Sequence, residues 1–316
     1  MKAVSIYYYG GPSVLAYEDA PRPDPGPAEV LVRVHAAGVN PVDWKIREGH
    51  LKEILHQTLP LVLGWDVSGV VEALGAGVTR FRVGDEVFSR PDIDRHGAYA
   101  EFIVMRETEV ALKPKSVDHV HAAALPLAGL TAWQSLFDAA ALTAGQRVLI
   151  HAAAGGVGSL AVQLAKGKGA HVIGTASAKN HELVRALGAD QVVDHERERF
   201  EAVVGPVDVV FDTMGGDTQA RSWQVLKRGG ILVSIVSPPS AEVAVAHGVR
   251  FAFVFTQPNA AQLAEIATLV DAGKLKSIVE TILPLSAAVR GQELSEAGHT
   301  RGKIVLQVVT EVGRGP

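Results

Sequence analysis

Two hydrophobic rhythms divide the chain near residue 120. Before that point "AEVLVRVHAA" alternates apolar and polar positions, as a strand with one buried face does. "VSGVVEAL" and "DEVFS" are short apolar runs of strand length, and "APRPDPGPAEV" is a Pro-rich connection. These features predict a strand-rich, irregular domain. Beyond residue 120, apolar strands and helical patterns take turns. "RVLIHAA" (147–153) predicts a buried strand, and Val157, Leu160, Ala161, Leu164 and Ala165 follow at the i, i+3, i+4, i+7, i+8 spacing of a helix. Strands are expected at "HVIGTA", "QVVD", "VDVVFDT", "GGILVSIV" and "VRFAFVF", with a helix at "HELVRALGA". The alternation predicts an α/β unit with a doubly wound parallel sheet covered on both faces. "NAAQLAEIATLVDAGK" and "SAAVRGQELSEAG" predict two further helices, and the last strand, "GKIVLQVV", is expected to rejoin the first domain.

At 316 residues, 47% of them hydrophobic and 20% charged, the chain can bury the cores of two domains. Lys and Arg number 30 against 34 acids, a net charge of −4, with no long basic run. That balance weighs against nucleic acid or an anionic membrane as the main partner. Apolar stretches such as "AAALPLAGLTAW" are broken by Pro and Gly and fall short of a membrane-spanning helix. "MKAVSIYYYG" carries no apolar signal core with a small-residue cleavage site, so a cytoplasmic address is expected. The absence of cysteine has the largest chemical consequence. It removes disulfides, thiol nucleophiles and every zinc site built on thiolate.

The strongest local motif is "HAAAGGVGS", residues 151–159, which joins a predicted strand to a predicted helix. Its spacing, Ala153-x-Gly155-x-x-Gly158, is the dinucleotide fingerprint G-x-G-x-x-G with Ala at the first glycine. Gly155 lets the backbone approach a pyrophosphate, Gly158 lets the helix pack on the strand, and the amides that open the helix face the phosphates. Glycine turns also arise for steric reasons; the strand–turn–helix setting is what favours a cofactor. NAD sites hold an acid at the end of the second strand, about 20 residues past the first glycine, for the ribose 2′-hydroxyl. Here "GTASAKNHE" has no acid before Glu182 and offers Ser177 and Lys179, two donors suited to a 2′-phosphate. NADPH is therefore the expected cofactor; a merely solvated Lys179 at a helix start is the plainer alternative.

"GVNPVDWK", residues 38–45, gathers Asn40, Asp43, Trp44 and Lys45 around Pro41 and reads as a polar loop. The residues alone leave open a reactive site, a metal site, or a loop with an Asp43–Lys45 ion pair worth at most about 1 kcal/mol. The order of motifs along the chain narrows this. "YGGPSVL", "AGVNPVDWKIREG", "LPLVLGWDVSGVVEALGAGVTRFRVGDEVF", "GAYAEF", "AAALPLAGLTAW", "VLIHAAAGGVGSLAVQLAK", "DVVFDTMGGDT", "LKRGGILVSI" and "GKIVLQVV" follow one another. Over nearly the whole length the sequence resembles the zinc-free quinone oxidoreductase (zeta-crystallin-like) branch of the medium-chain dehydrogenase/reductase superfamily.

The resemblance implies a GroES-like catalytic domain over residues 1–121, an NADPH-binding Rossmann domain over 122–262, and a return to the catalytic domain over 263–316. It implies NADPH and substrate in the cleft between the domains, and a homodimer or tetramer paired through the edge strand "VRFAFVF". By position, Asn40, Lys45 and Thr131 should approach the nicotinamide. Gly156 and Val157 should contact the pyrophosphate, and Ser177 and Lys179 the 2′-phosphate. His195 stands where relatives often carry a Tyr near the adenosine. The backbone around Phe253–Phe255 should reach the carboxamide, and "TRGK" (300–303) should wall the cleft. Lys45 replaces the Tyr of several quinone reductases and resembles relatives that act on enones and alkenals. Asn40 and Lys45 are thus the candidate catalytic residues, with Asp43 as their structural partner.

Zinc alcohol dehydrogenases of this superfamily take their metal from a Cys, a His in "GHE" and a later Cys; here those positions read Asn40, Trp65 and, approximately, Leu127. The twelve His are scattered without an H-E-x-x-H-like pair, so no metal is expected. Without a Lewis acid, alcohol oxidation is disfavoured. A quinone, or the β-carbon of an α,β-unsaturated carbonyl, can still accept hydride, with hydrogen bonds stabilising the charge on oxygen. The expected activity is NADPH-dependent quinone reduction, with alkenal or enone double-bond reduction as the alternative. A non-catalytic NADPH-binding sensor or structural protein is a third reading, separated from the others by whether any acceptor is turned over.

Overall fold

The alternating run becomes β3 (Glu29–Val39), 11 residues long, in the computed structural model of the protein, which describes residues 1–309. Toward Val39 its burial becomes continuous, because Ala36 packs against Ala123 and Ala124 on a face that would otherwise meet solvent. β5 (Val67–Leu74) pairs antiparallel along one edge of β3. β7 (Phe102–Arg106) and β16 (Lys303–Gln307) share the other edge, also antiparallel. β6 (Glu86–Ser89) and β8 (Val110–Leu112) extend the β5 side, and β15 (Val279–Pro284) the β16 side. A smaller sheet joins β1 (Lys2–Ile6) to β2 (Ala16–Asp19) and β4 (Leu61–Val62). Val32, Trp65, Val67, Ile103 and Ile304 belong to one core cluster here. This unit comprises Met1–Leu127, Gln257–Gly273 and the residues from Ser277 on. The terminal strand thus lies on β3; residues 310–316 of the expected return segment lie outside the described residues.

The polar stretch after β3 is a helix, Pro41–Arg47, and not the loop expected from its polarity. Its start is fixed locally. Asn40 is extended (φ −132, ψ 153), Pro41 supplies a helical φ where no amide is needed, and the Asp43 carboxylate accepts the Asn40 N–H at 2.8 Å. Lys45 and Arg47 in the last turn complement the helix dipole. Capping chemistry outweighs the lack of an apolar stripe.

The second unit, Ala128–Thr256 with Lys274–Lys276, carries a six-stranded sheet. Its strands are β9 (Arg147–Ile150), β10 (His171–Ala176), β11 (Gln191–Asp194), β12 (Val207–Asp212), β13 (Leu226–Ser234) and β14 (Arg250–Phe253). They lie in the order β11-β10-β9-β12-β13-β14, and every pairing is parallel. Leu149, Ile173, Val193, Val210 and Leu232 carry the core across five of these strands. Strand order reverses between β9 and β12, which makes the carboxyl end of β9 a topological switch point, the usual ligand crevice of such sheets.

Candidate active site

The glycine turn sits at that switch point. Ala152 takes a positive φ of 47, and the helix Gly156–Gly167 opens directly after Gly155. A Cβ on Gly158 would lie 2.2 Å from the Ala152 carbonyl oxygen, so only glycine lets the helix seat there. A Cβ on Gly155 would meet only that oxygen, at 3.3 Å, which leaves its other side clear. Ala153, the alanine in the place of the first glycine, is tolerated because its neighbour on β10 is Gly174, where a Cβ would come within 2.7 Å of the Ala153 Cβ. The first intrahelical bond is Ser159 N–H to Gly155 C=O, so the amides of Gly156, Val157 and Gly158 have no partner within the helix. Three convergent donors at a helix start beside a cleared glycine fit a pyrophosphate.

Other residues expected around a dinucleotide cluster at the same end of the sheet. Ser177 follows β10, half-buried, and accepts from Asn180 Nδ2 at 3.3 Å; Lys179 is exposed two residues on. His195 follows β11 and is exposed. Phe253 ends β14, and Phe255 lies just beyond; both side chains are partly exposed. Thr131 is buried, its hydroxyl 2.6 Å from that of Thr256.

In the first unit Asn40 is 3% exposed at the junction of β3 and the helix Pro41–Arg47. Its Nδ2 donates to Asp66 Oδ2 at 2.8 Å, and its Oδ1 accepts from Lys303 Nζ. Lys303 also pairs with Asp66 Oδ2 at 2.8 Å, and Leu127 N–H donates to Asp66 Oδ1 at 2.6 Å. Strand register explains the meeting. Ile304 pairs with Val39 and Val67 with Ala37, which places Lys303 and Asp66 on either side of Asn40. Gly38 makes room, since a Cβ there would stand 2.8 Å from Asp66 Oδ2 and 2.5 Å from the Ala123 carbonyl oxygen.

Asp43 is fully buried behind Asn40. Its Oδ2 accepts from Asn40 N–H and from Tyr99 OH at 2.7 Å, while Oδ1 has no partner among the described residues, and burial pushes its pKa up to about 7. The same enclosure and the adjacent Asp43 push the Tyr99 phenol well above its ordinary value. Lys45 does not pair with Asp43; its ammonium lies 5.7 Å from the centroid of the Trp44 ring, and partial burial lowers its pKa. The loop ion pair is replaced by an enclosed acid that braces the helix and a lysine resting on an indole.

The three positions at which zinc-using relatives hold their metal do not fit it here. Asn40 has both ends of its carboxamide engaged, Trp65 is fully buried with its indole N–H directed to the Arg95 carbonyl at 3.3 Å, and Leu127 offers no side-chain donor. The Lys303 ammonium, bonded to Asn40 and Asp66, would also repel a dication. Among the described residues no group of three or more His, Cys, Asp or Glu could hold a metal ion. Asp66, Tyr99 and Lys303 are the residues that sequence reasoning did not assemble. Lys303 was visible only as the end of "TRGK", and Asp66 only as the acid that follows Trp65 in "LPLVLGWDVSG".

Comparison with known proteins places these units in a family. Residues 26–115 match the alcohol dehydrogenase GroES-like domain, and residues 187–306 match the family described as zinc-binding dehydrogenase. A human mitochondrial NAD(P)H oxidoreductase is 36% identical, the alignment covering 90% of this chain and 82% of that protein. An NADPH-dependent alkenal/one oxidoreductase from the chloroplast of Arabidopsis thaliana is 37% identical over 97% of this chain and 79% of its own. Among solved structures, the quinone oxidoreductase from Coxiella burnetii superposes with a TM-score of 0.91 at 39% identity, covering 98% of this chain and 99% of that one.

Proposed function

The chain belongs to the quinone oxidoreductase branch of the medium-chain dehydrogenase/reductase superfamily and is an NAD(P)H-dependent oxidoreductase, and on that premise we propose that it passes hydride from NADPH to a quinone without zinc. The observation that carries this reading is the side-chain set around Asn40, where an amide held between Lys303 and Asp66 stands in place of a metal ligand. A site of that kind has no Lewis acid, so its acceptor must take hydride with only hydrogen bonds to stabilise the charge that develops on oxygen. Quinones do so readily.

Bound NADPH supplies the hydride. Gly156, Val157 and Gly158 hold the pyrophosphate through their amides, and Ser177 and Lys179 hold the 2′-phosphate. Asn40 offers an N–H to the acceptor oxygen, Lys45 adds positive charge nearby, and solvent returns the proton. Asp43 keeps the helix that carries Lys45 in register with Asn40.

Lys179 is the test of the cofactor. Lys179→Glu is expected to lower the ratio of kcat/KM for NADPH over NADH by about ten- to a hundredfold, the value of a charge-assisted bond of roughly 1.5–3 kcal/mol. An unchanged ratio would remove the assignment.

The acceptor is tested by NADPH absorbance decay over a panel of quinones and enals, on the wild type and on Lys45→Ala. Turnover of quinones above enals is expected for the wild type. The alkenal reading has its own support in Lys45 and in the Arabidopsis relative, and it would replace the first if enals turn over faster and Lys45→Ala abolishes that preference. NADPH binding with no decay on any acceptor would leave a binding protein.

The assembly we propose is a homodimer joined at β14. Among the described residues that strand is the sheet edge and pairs only with β13, while Phe251 and Phe253 are each 42% exposed on it. Light scattering that returns a monomer would refute this. No helix among the described residues is long and apolar enough to cross a membrane. The organelle names of the two relatives give the cytoplasmic expectation no support.

A further inference from the structure

A carboxamide can make four hydrogen bonds, two at the oxygen and two from the nitrogen. Two of those of Asn40 are already fixed, with a cation donating to the oxygen and an anion accepting from the nitrogen. The cation and anion are themselves paired at 2.8 Å, and Asn40, Asp66 and Lys303 are all buried. Reversing the amide would turn its NH2 against an ammonium and its oxygen against a carboxylate, so the clamp permits one orientation. Asp66 cannot swing away, because its second oxygen accepts the Leu127 amide at 2.6 Å. Lys303 is anchored by β16 on β3, and Asp66 sits against a glycine, Gly38, that admits it.

The charges nearly cancel within the pair, so their effect on a substrate several bonds away is directional more than Coulombic. We infer that Lys303 and Asp66 are positioning residues of the reductase site, fixing the Asn40 carboxamide so that its remaining N–H is the donor presented to the acceptor oxygen. This rests on the reading of the chain as a quinone or enal reductase that uses Asn40.

The test is a mutant cycle built on Lys303→Met/Asp66→Asn, since Lys303→Met alone would strand a buried carboxylate and threaten folding. Steady-state kinetics with 1,4-naphthoquinone, NADPH affinity from fluorescence and Tm are measured for wild type, that double variant, Asn40→Ala and the triple variant. The double variant is expected to lose about 10- to 100-fold in kcat, with KM and NADPH affinity changed less than about twofold. Added to Asn40→Ala it is expected to cost no further activity, because the pair acts only through Asn40. A retained kcat in the double variant, or losses that multiply in the triple, overturns the inference and leaves the reductase reading standing. A wild type that reduces no quinone or enal overturns both. A ternary crystal structure of the wild type, independent of any variant's folding, is expected to place Asn40 Nδ2 within about 3 Å of the acceptor oxygen. Oδ1 facing the acceptor instead would overturn the inference.

Discussion

Asn40→Ala is expected to lower kcat for quinone reduction by roughly 100-fold or more while leaving NADPH affinity within about twofold, since removal of one donor to a developing oxyanion typically has that effect. The split follows from the chain's division of labour. The candidate phosphate donors, Gly156 to Gly158, belong to the parallel-sheet unit, and Asn40 belongs to the other. Alanine also removes the partner that Lys303 and Asp66 share, so a loss of Tm should accompany the loss of rate. Measuring kcat well below the new Tm separates the two effects. A kcat within threefold of wild type would show that the amide is structural, and the acceptor would need another donor, with Lys45 the candidate on the same helix.

The parts of the candidate site that were legible in the sequence are those encoded locally. The turn at 151–159 carries its own glycines, and the flanking strand and helix patterns lie within a few residues of it, so its place on the sheet followed from short-range spacing. The same holds for Ser177 and His195, which sit at strand ends that apolar runs announce. The helix Pro41–Arg47 was local too but was hidden. Its signal lies in Asn40, Pro41 and Asp43 as capping residues, while the seven-residue segment lacks the apolar stripe by which helices are usually read. The Asn40–Asp66–Lys303 cluster was illegible for a different reason. Asp66 and Lys303 are 237 residues apart, and only the antiparallel registers of β5 and β16 on β3 together bring them to one carboxamide. A buried charge pair leaves no periodic trace, and each member reads singly as an ordinary surface residue.

Asp43→Asn is expected to change how stability depends on pH more than any other single substitution at this site. Enclosure raises the Asp43 pKa from 3.8 to about 7 in the folded chain, against the opposing pull of the Asn40 N–H, the Tyr99 hydroxyl and the Lys303 charge. The folded state therefore keeps a proton that the unfolded chain releases. Below about pH 4 both states are protonated and the group contributes no pH dependence; between about pH 4 and 7 stability falls as pH rises; above pH 7 the full penalty, roughly 4 kcal/mol, persists. Asparagine cannot ionise, yet its oxygen can accept from both the Asn40 N–H and the Tyr99 hydroxyl as Oδ2 does now. Its NH2 would replace Oδ1, which has no partner among the described residues, and would set two unpartnered N–H groups there against the single O–H of the protonated acid, an added cost of about 1–3 kcal/mol at every pH. The variant should thus be less stable than wild type near pH 4 and equal or more stable near pH 8. The slope is the discriminating quantity, because the orphaned donor shifts the whole curve while ionisation tilts it. Urea midpoints at pH 4.5, 6 and 8 for both proteins measure that tilt. Parallel curves would mean that Asp43 ionises in the folded state as readily as in water. The brace behind Asn40 would then be a fixed anion, held by its two donors and by Lys303 against the cost of its burial.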